Sequence, residues 1–257
     1  MAKASPQPTA QPPGSTETLP DCRLIIAAGD KGSTGKSTTI SCLAEWLMLR
    51  APQLSLALYD PDPRHRTITR IYGPNGTSPL VAPNVLHSVD FGGVDGEPII
   101  DQVVRAFADL DDRPGARVSL VDGVANQFDQ TMLRWARNVD LYERADELGF
   151  RVTYVLVMNE ISATVEQGME LVTEVGNKAD YLIVRNCKTT NSLVWDTPVA
   201  APFREKVAAC GGKVITIERL SSDQSAILDG AGAGTAWSLA RVADSSPADS
   251  MTRTRAK

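Results

Sequence analysis

The segment Gly29-Asp30-Lys31-Gly32-Ser33-Thr34-Gly35-Lys36-Ser37-Thr38-Thr39 constrains this chain more than any other. It follows an apolar run over residues 23–28 without a gap and opens a helical pattern over residues 36–50. A glycine-rich turn set between a buried strand and a helix start is a phosphate-binding device. Gly32 and Gly35 let the backbone curl so that successive N–H groups face phosphate oxygens, and the helix start adds its partial positive charge. Lys36 can then reach terminal phosphates, and Ser37 can present its hydroxyl to Mg²⁺. The competing reading, an ordinary Gly/Ser-rich turn, leaves the flanking strand and helix as coincidence. Gly32, Ser33, Thr34, Gly35, Lys36, Ser37 and Thr38 are therefore the candidate nucleotide contacts.

The rest of the chain repeats the same alternation. Short runs rich in Val, Ile, Leu and Tyr at 23–28, 54–60, 84–89, 117–122, 152–159, 181–186 and 213–218 read as strands covered on both faces. Helical patterns lie at 36–50, 97–110, 129–149, 163–178, 200–209 and 224–240. Such alternation predicts an α/β fold of three layers, a mainly parallel twisted sheet with helices on both faces. Residues 1–20 carry five prolines and no aromatic residue, and read as a disordered tail without the apolar stretch of a signal peptide. Residues 244–257 read as a second flexible tail, leaving 21–243 as one phosphate-loop domain.

Charge and cysteine usage exclude several classes. Lys and Arg total 26 against 31 Asp and Glu, so a net charge of −5 argues against holding nucleic acid by bulk charge. No apolar run is long enough to span a bilayer. The four cysteines, Cys22, Cys42, Cys187 and Cys210, are dispersed and lack a CxxC pair, which fits reduced buried thiols in a cytoplasmic protein.

The phosphate loop has Asp30 where a usual one has glycine, and a second lysine, Lys31, beside it. Lys-Gly-x-x-Gly-Lys-Ser resembles the deviant Walker A motif of the ParA/MinD family of ATPases. That resemblance implies that Lys31 crosses a dimer interface to the partner's phosphates. Ser33 stands where the family usually has glycine, so a left-handed backbone there would be strained. Tyr59-Asp60-Pro61-Asp62-Pro63 looks like the family's Asp-x-Asp-Pro switch, with Arg64 in place of a common glutamine. By that resemblance Asp62 orients the attacking water, and Asp60 supports the loop and the metal shell. Val118-Ser119-Leu120-Val121-Asp122-Gly123 resembles a Walker B strand, in which Asp122 holds Mg²⁺ through water and Gly123 admits the terminal phosphate. Val124-Ala125 departs from the family's usual pair there. Asn186 falls where relatives carry an asparagine that reads adenine, although asparagine after a strand is also a common turn residue.

Within the family, Gly-Asp-Lys-Gly and the late Val-Arg-Asn are similar to plasmid-borne StbB and TraL-like ATPases of plasmid stability and conjugal transfer. The resemblance implies an ATP- and Mg²⁺-dependent homodimer in the bacterial cytoplasm, a slow ATP hydrolase stimulated by a DNA-binding or transfer-apparatus protein. ParA relatives can bind DNA through basic surface, and MinD relatives bind membrane through a C-terminal amphipathic helix. Here Arg253, Arg255 and Lys257 lack apolar companions, so tight direct binding to DNA or membrane is not expected. Two other classes remain open: a metabolic ATP-dependent kinase or ligase, in which Lys31 has no purpose, and an inert nucleotide-binding adaptor.

Other residues read more plainly. Trp46, Trp135, Trp195 and Trp237 are expected to pack in the core. His65 and His87 are too isolated for a metal pair or a catalytic triad; His65 adjoins the switch segment and reads as a solvated loop histidine. Arg134, Arg137 and Arg144 alternate with acids and read as a solvated helix face.

Overall fold

A computed structural model describes residues 22–29, 31–51, 54–62, 65–73, 86–87, 117–123, 128–187 and 193–218. The two tails, the helical patterns 97–110 and 224–240 and most of the run 84–89 lie outside the described residues. Among the described residues, seven strands form one sheet: β1 (Cys22–Ala28), β2 (Ser55–Tyr59), β3 (Leu86–His87), β4 (Arg117–Asp122), β5 (Phe150–Met158), β6 (Asp180–Asn186) and β7 (Lys213–Ile217). Their spatial order is β3-β2-β4-β1-β5-β6-β7, and every pairing is parallel. Parallel neighbours need long crossovers, and helices supply them: α1 (Lys36–Arg50), α2 (Thr67–Tyr72), α3 (Phe128–Asn138), α4 (Leu141–Glu147), α5 (Ser162–Val175) and α6 (Ala201–Ala209).

The period of two along each strand divides the core. Leu24, Ile26 and Ala28 of β1 point to one face, where α3, α4, α5 and α6 contribute Met132, Leu141, Leu171 and Phe203. Ile25 and Ala27 point to the other, against Ile40 and Ala44 of α1 and Ile68, Ile71 and Tyr72 of α2. The three-layer α/β architecture is thus built from strands apolar on both sides. Burial of each such side chain contributes roughly 1.5–3 kcal/mol. Helices α5 and α6 approach closely at Gly168, where an added Cβ would lie 2.6 Å from the Phe203 ring.

Three sequence expectations need correction. The run 129–149 is two helices, because Asp140 adopts a left-handed backbone (φ 50°, ψ 48°) that ends one and starts the next. Asp and Asn tolerate that region better than other non-glycine residues. The run 163–178 leaves α-helical geometry after Val175 and finishes in a 3₁₀ turn, Gly176–Lys178. Trp46 is 57% exposed instead of packed, because the buried stripe of α1 runs through Ile40, Ser41, Ala44 and Glu45 and leaves it on the opposite face. Trp195 is buried edge-on against Phe203, and Trp135 packs at the core margin. Arg137 is exposed but pairs with Glu174 at 3.1 Å. All four cysteines are free thiols, and burial followed by the nearby Glu45 pushes Cys42 up to about 12. No helix among the described residues is long and apolar enough to cross a membrane.

Candidate functional site

In a parallel sheet all strands end on one side, and the loops that follow them converge there. Register sets the placement. Ala27 of β1 lies beside Asp122, and Tyr59 of β2 beside Val121 of the same β4. Asp60, one residue past β2, therefore emerges next to Asp122, and both flank the loop that leaves β1. Each is almost wholly buried, at 1% and 4% exposure.

Three described residues of the loop after β1 have positive φ: Gly29 (125°), Ser33 and Gly35. Gly35 (φ 101°) sits immediately before α1, where a side chain would meet the Asn186 amide at 2.3 Å. Ser33 is also left-handed, at φ 60°, the strained geometry that its replacement of glycine raised. Strain of this kind costs on the order of 1–2 kcal/mol. Lys31, Gly32, Ser33 and Thr38 are exposed, whereas Thr34 and Lys36 are buried. Lys36 Nζ donates to the Lys31 carbonyl at 2.9 Å, so one lysine holds the backbone of the other. Thr39 closes the first turn of α1, its N–H and hydroxyl both donating to the Gly35 carbonyl at 2.9 Å.

Burial pushes Asp122 up to about 7; a hydrogen bond from the Ser37 hydroxyl opposes that shift, Asp60 adds to it, Lys36 opposes it and Asp62 adds to it. Burial also raises Asp60, against hydrogen bonds from the Thr69 N–H and hydroxyl and from the Asp62 N–H, while the Asp62 charge adds to the rise. Asp60 Oδ2 accepts the Thr69 N–H at 2.7 Å and its hydroxyl at 2.8 Å. Asp60 Oδ1 and Asp122 Oδ1 are buried with no hydrogen-bond partner among the described residues. Two buried acceptors that feel each other's charge, with a serine hydroxyl beside one of them, suit a divalent cation. Among the described residues no group of three or more His, Cys, Asp or Glu is placed to hold a metal alone. The donors among the described residues, two carboxylates and a serine hydroxyl, are all hard oxygens, the ligand type that divalent cations such as Mg²⁺ or Ca²⁺ prefer.

The remaining candidates sit around this core. Asp62 accepts the His65 N–H at 3.0 Å, and its other oxygen lies 3.1 Å from His65 Nδ1, a pairing that orders an otherwise exposed histidine. Asn186, buried at the end of β6, donates its amide to the Thr34 carbonyl at 2.6 Å. Its amide braces the loop from two strands away. The structure thus brings Thr34, Gly35, Lys36, Ser37, Asp60, Asp122 and Asn186 together, with Lys31 and Asp62 at the margin. Sequence reasoning passed over Thr69, whose six-residue helix α2 begins at a left-handed Arg66 with no side-chain cap to announce it.

Strand, glycine-rich loop, helix and an adjacent carboxylate-tipped strand thus meet at one end of an all-parallel α/β sheet, the local arrangement of a phosphate-binding loop. No family model matches the chain, and no curated protein matches it. Among solved structures it is similar to a nucleotide-binding protein from Archaeoglobus fulgidus in complex with ADP. That match has 15% identity and a TM-score of 0.45, and covers 79% of this chain and 84% of that one. It is also similar to FtsY from Mycoplasma mycoides, at 13% identity and a TM-score of 0.39, covering 63% of this chain and 52% of that one.

Proposed function

We propose that this chain is a Mg²⁺-dependent ATPase switch of the ParA/MinD type. The observation that carries the reading is a buried Lys36 beside two buried carboxylates, Asp60 and Asp122, each with one oxygen unpartnered among the described residues. A lysine and two such acids carry the charges that a phosphate and a cation would together balance. Lys36 would bind the terminal phosphates, and Ser37, Asp60 and Asp122 would hold Mg²⁺. When bound, Mg²⁺ supplies neutralisation of the phosphate charge. Asp62 would orient the attacking water, and Asn186 would keep the loop in its phosphate-binding shape. Exposed Lys31, its backbone held by Lys36, would reach the phosphates of a second copy across an ATP-bridged dimer.

Such a protein works through the difference in partner affinity between dimer and monomer. The partner would be a DNA-binding or transfer-apparatus protein that supplies location, in plasmid partition, stability or conjugal transfer in the bacterial cytoplasm. Light scattering with ATP tests the division of roles. Lys31→Ala is expected to bind ATP as a monomer and lose the dimer, whereas Asp62→Ala accumulates dimer through slow hydrolysis. Identical behaviour of the two variants defeats the assignment. The strained Ser33 favours a second reading, a nucleotide-binding adaptor that does not turn over. Phosphate release measured with and without a partner separates the two.

A further inference from the structure

Asp60 has two chemically equivalent oxygens, and the structure makes them unequal. Oδ2 takes both hydrogen bonds that Thr69 can give, while Oδ1 is buried without a partner among the described residues. A carboxylate held at one oxygen by two hydrogen bonds keeps one orientation, so Thr69 sets where the other oxygen is presented. Thr69 is itself held. Three residues on, the Tyr72 hydroxyl donates to Glu45 at 2.7 Å and lies 3.3 Å from the Ser41 carbonyl, both on α1. Ile68 and Ile71 pack into the same core cluster as Ile40 and Ala44 of α1. Helix α2 thus spans from the carboxylate at the end of β2 to the helix that follows the phosphate loop.

We infer that Thr69 is a positioning residue for the divalent cation, acting through Asp60, with the Tyr72–Glu45 bond as the anchor that keeps it in place. This rests on the nucleotide site proposed above and adds a residue to it. The competing account makes Asp60 a mere cap: Thr69 is the third residue of α2, where a carboxylate commonly accepts a backbone N–H. A cap needs only that N–H. It explains neither the second bond from the hydroxyl nor why the capping acid lies buried next to Asp122.

The hydroxyl separates the accounts, because Thr69→Val keeps the backbone N–H and the side-chain shape. The test is the affinity of full-length protein for a fluorescent ATP analogue, in EDTA and in Mg²⁺, for wild type, Thr69→Val and Thr69→Ser. In EDTA all three are expected to agree within about twofold. In Mg²⁺, Thr69→Val is expected to lose roughly tenfold of the metal-dependent gain, the size of one hydrogen bond to a charged group, and Thr69→Ser to regain it. By linkage, the Mg²⁺ affinity of the nucleotide complex shifts by the same factor. A Thr69→Val protein with the wild-type gain, or one equally weakened in EDTA, overturns the inference and leaves the nucleotide site standing. A wild type that binds no nucleotide overturns both. Should Thr69→Val fail to fold, as judged by thermal unfolding, Thr69→Ala and Tyr72→Phe take its place. Both are expected to lose metal-dependent affinity selectively, Tyr72→Phe by less, and an undiminished gain in both counts against the inference.

Discussion

The two ends of the sheet treat their carboxylates in opposite ways. Where the strands begin, Asp180 of β6 accepts Arg23 at 2.8 Å and Arg151 at 3.2 Å, while Arg23 also reaches the Thr153 hydroxyl and Arg151 the Asn177 carbonyl. Where the strands end, Asp60 and Asp122 are far more deeply buried, and each keeps an oxygen unpartnered among the described residues. The left-handed Ser33 and Arg66 lie at this second end as well. One end satisfies its polar groups from its own side chains. The other holds buried charge and backbone strain that the described residues leave uncompensated, and functional sites break in this way the local rules that the rest of a fold obeys.

Removing an acid should therefore have opposite signs at the two ends. Asp122 has its pKa raised from 3.8 to about 7, so its contribution to stability is full below the unfolded value and lost as pH rises through the folded one. Ligand-free protein should lose stability between about pH 4 and 7 by up to about 4 kcal/mol from this group, at ~1.36 kcal/mol per pH unit. Asp122→Asn should flatten that slope and raise stability at pH 8, as read by urea unfolding across pH. A variant less stable than wild type at pH 8 would remove the contrast.

Gly168→Ala sharpens the comparison from the core, away from both ends. A Cβ 2.6 Å from Phe203 forces α5 and α6 apart, and a cost of about 1–3 kcal/mol with unchanged nucleotide affinity is expected. Ser33→Gly should relieve left-handed strain and stabilise ligand-free protein by about 0.5–1 kcal/mol, seen as a higher Tm. An effect of the same size and opposite sign belongs to Asp180→Ala. Its carboxylate is 41% exposed, and breaking partly solvated ion pairs should cost about 0.5–1 kcal/mol.

Much of this was legible before any coordinates. The strand at 117–122 and the helix at 36–50 have the bounds that their residues suggest, because an uninterrupted apolar run and a glycine-lysine start leave little choice. The clustering of Lys36, Ser37, Asp60 and Asp122 follows from parallel strands ending on one side. What escaped depends on single backbone angles or on distant partners. The left-handed turn at Asp140 has no hydrophobic signature, so 129–149 reads as one helix. Glu45 is buried on α1 because Tyr72, far along the chain, donates to it, and that shift of the buried stripe is what exposes Trp46. The Asn186 amide reaches Thr34 across β5, a contact that no local pattern encodes. Thr69 was invisible for the same reason.

On the function proposed above, the carboxyl end of the sheet binds phosphate and a cation, while the amino end serves stability alone. Titration of a fluorescent ATP analogue with Mg²⁺ into wild type, Lys36→Ala and Asp180→Ala tests it directly. Loss of a buried cation that meets phosphate should weaken binding on the order of 10²-fold in Lys36→Ala. Asp180→Ala should bind as wild type does. Equal affinity of wild type and Lys36→Ala, or a comparable loss in Asp180→Ala, would contradict the account.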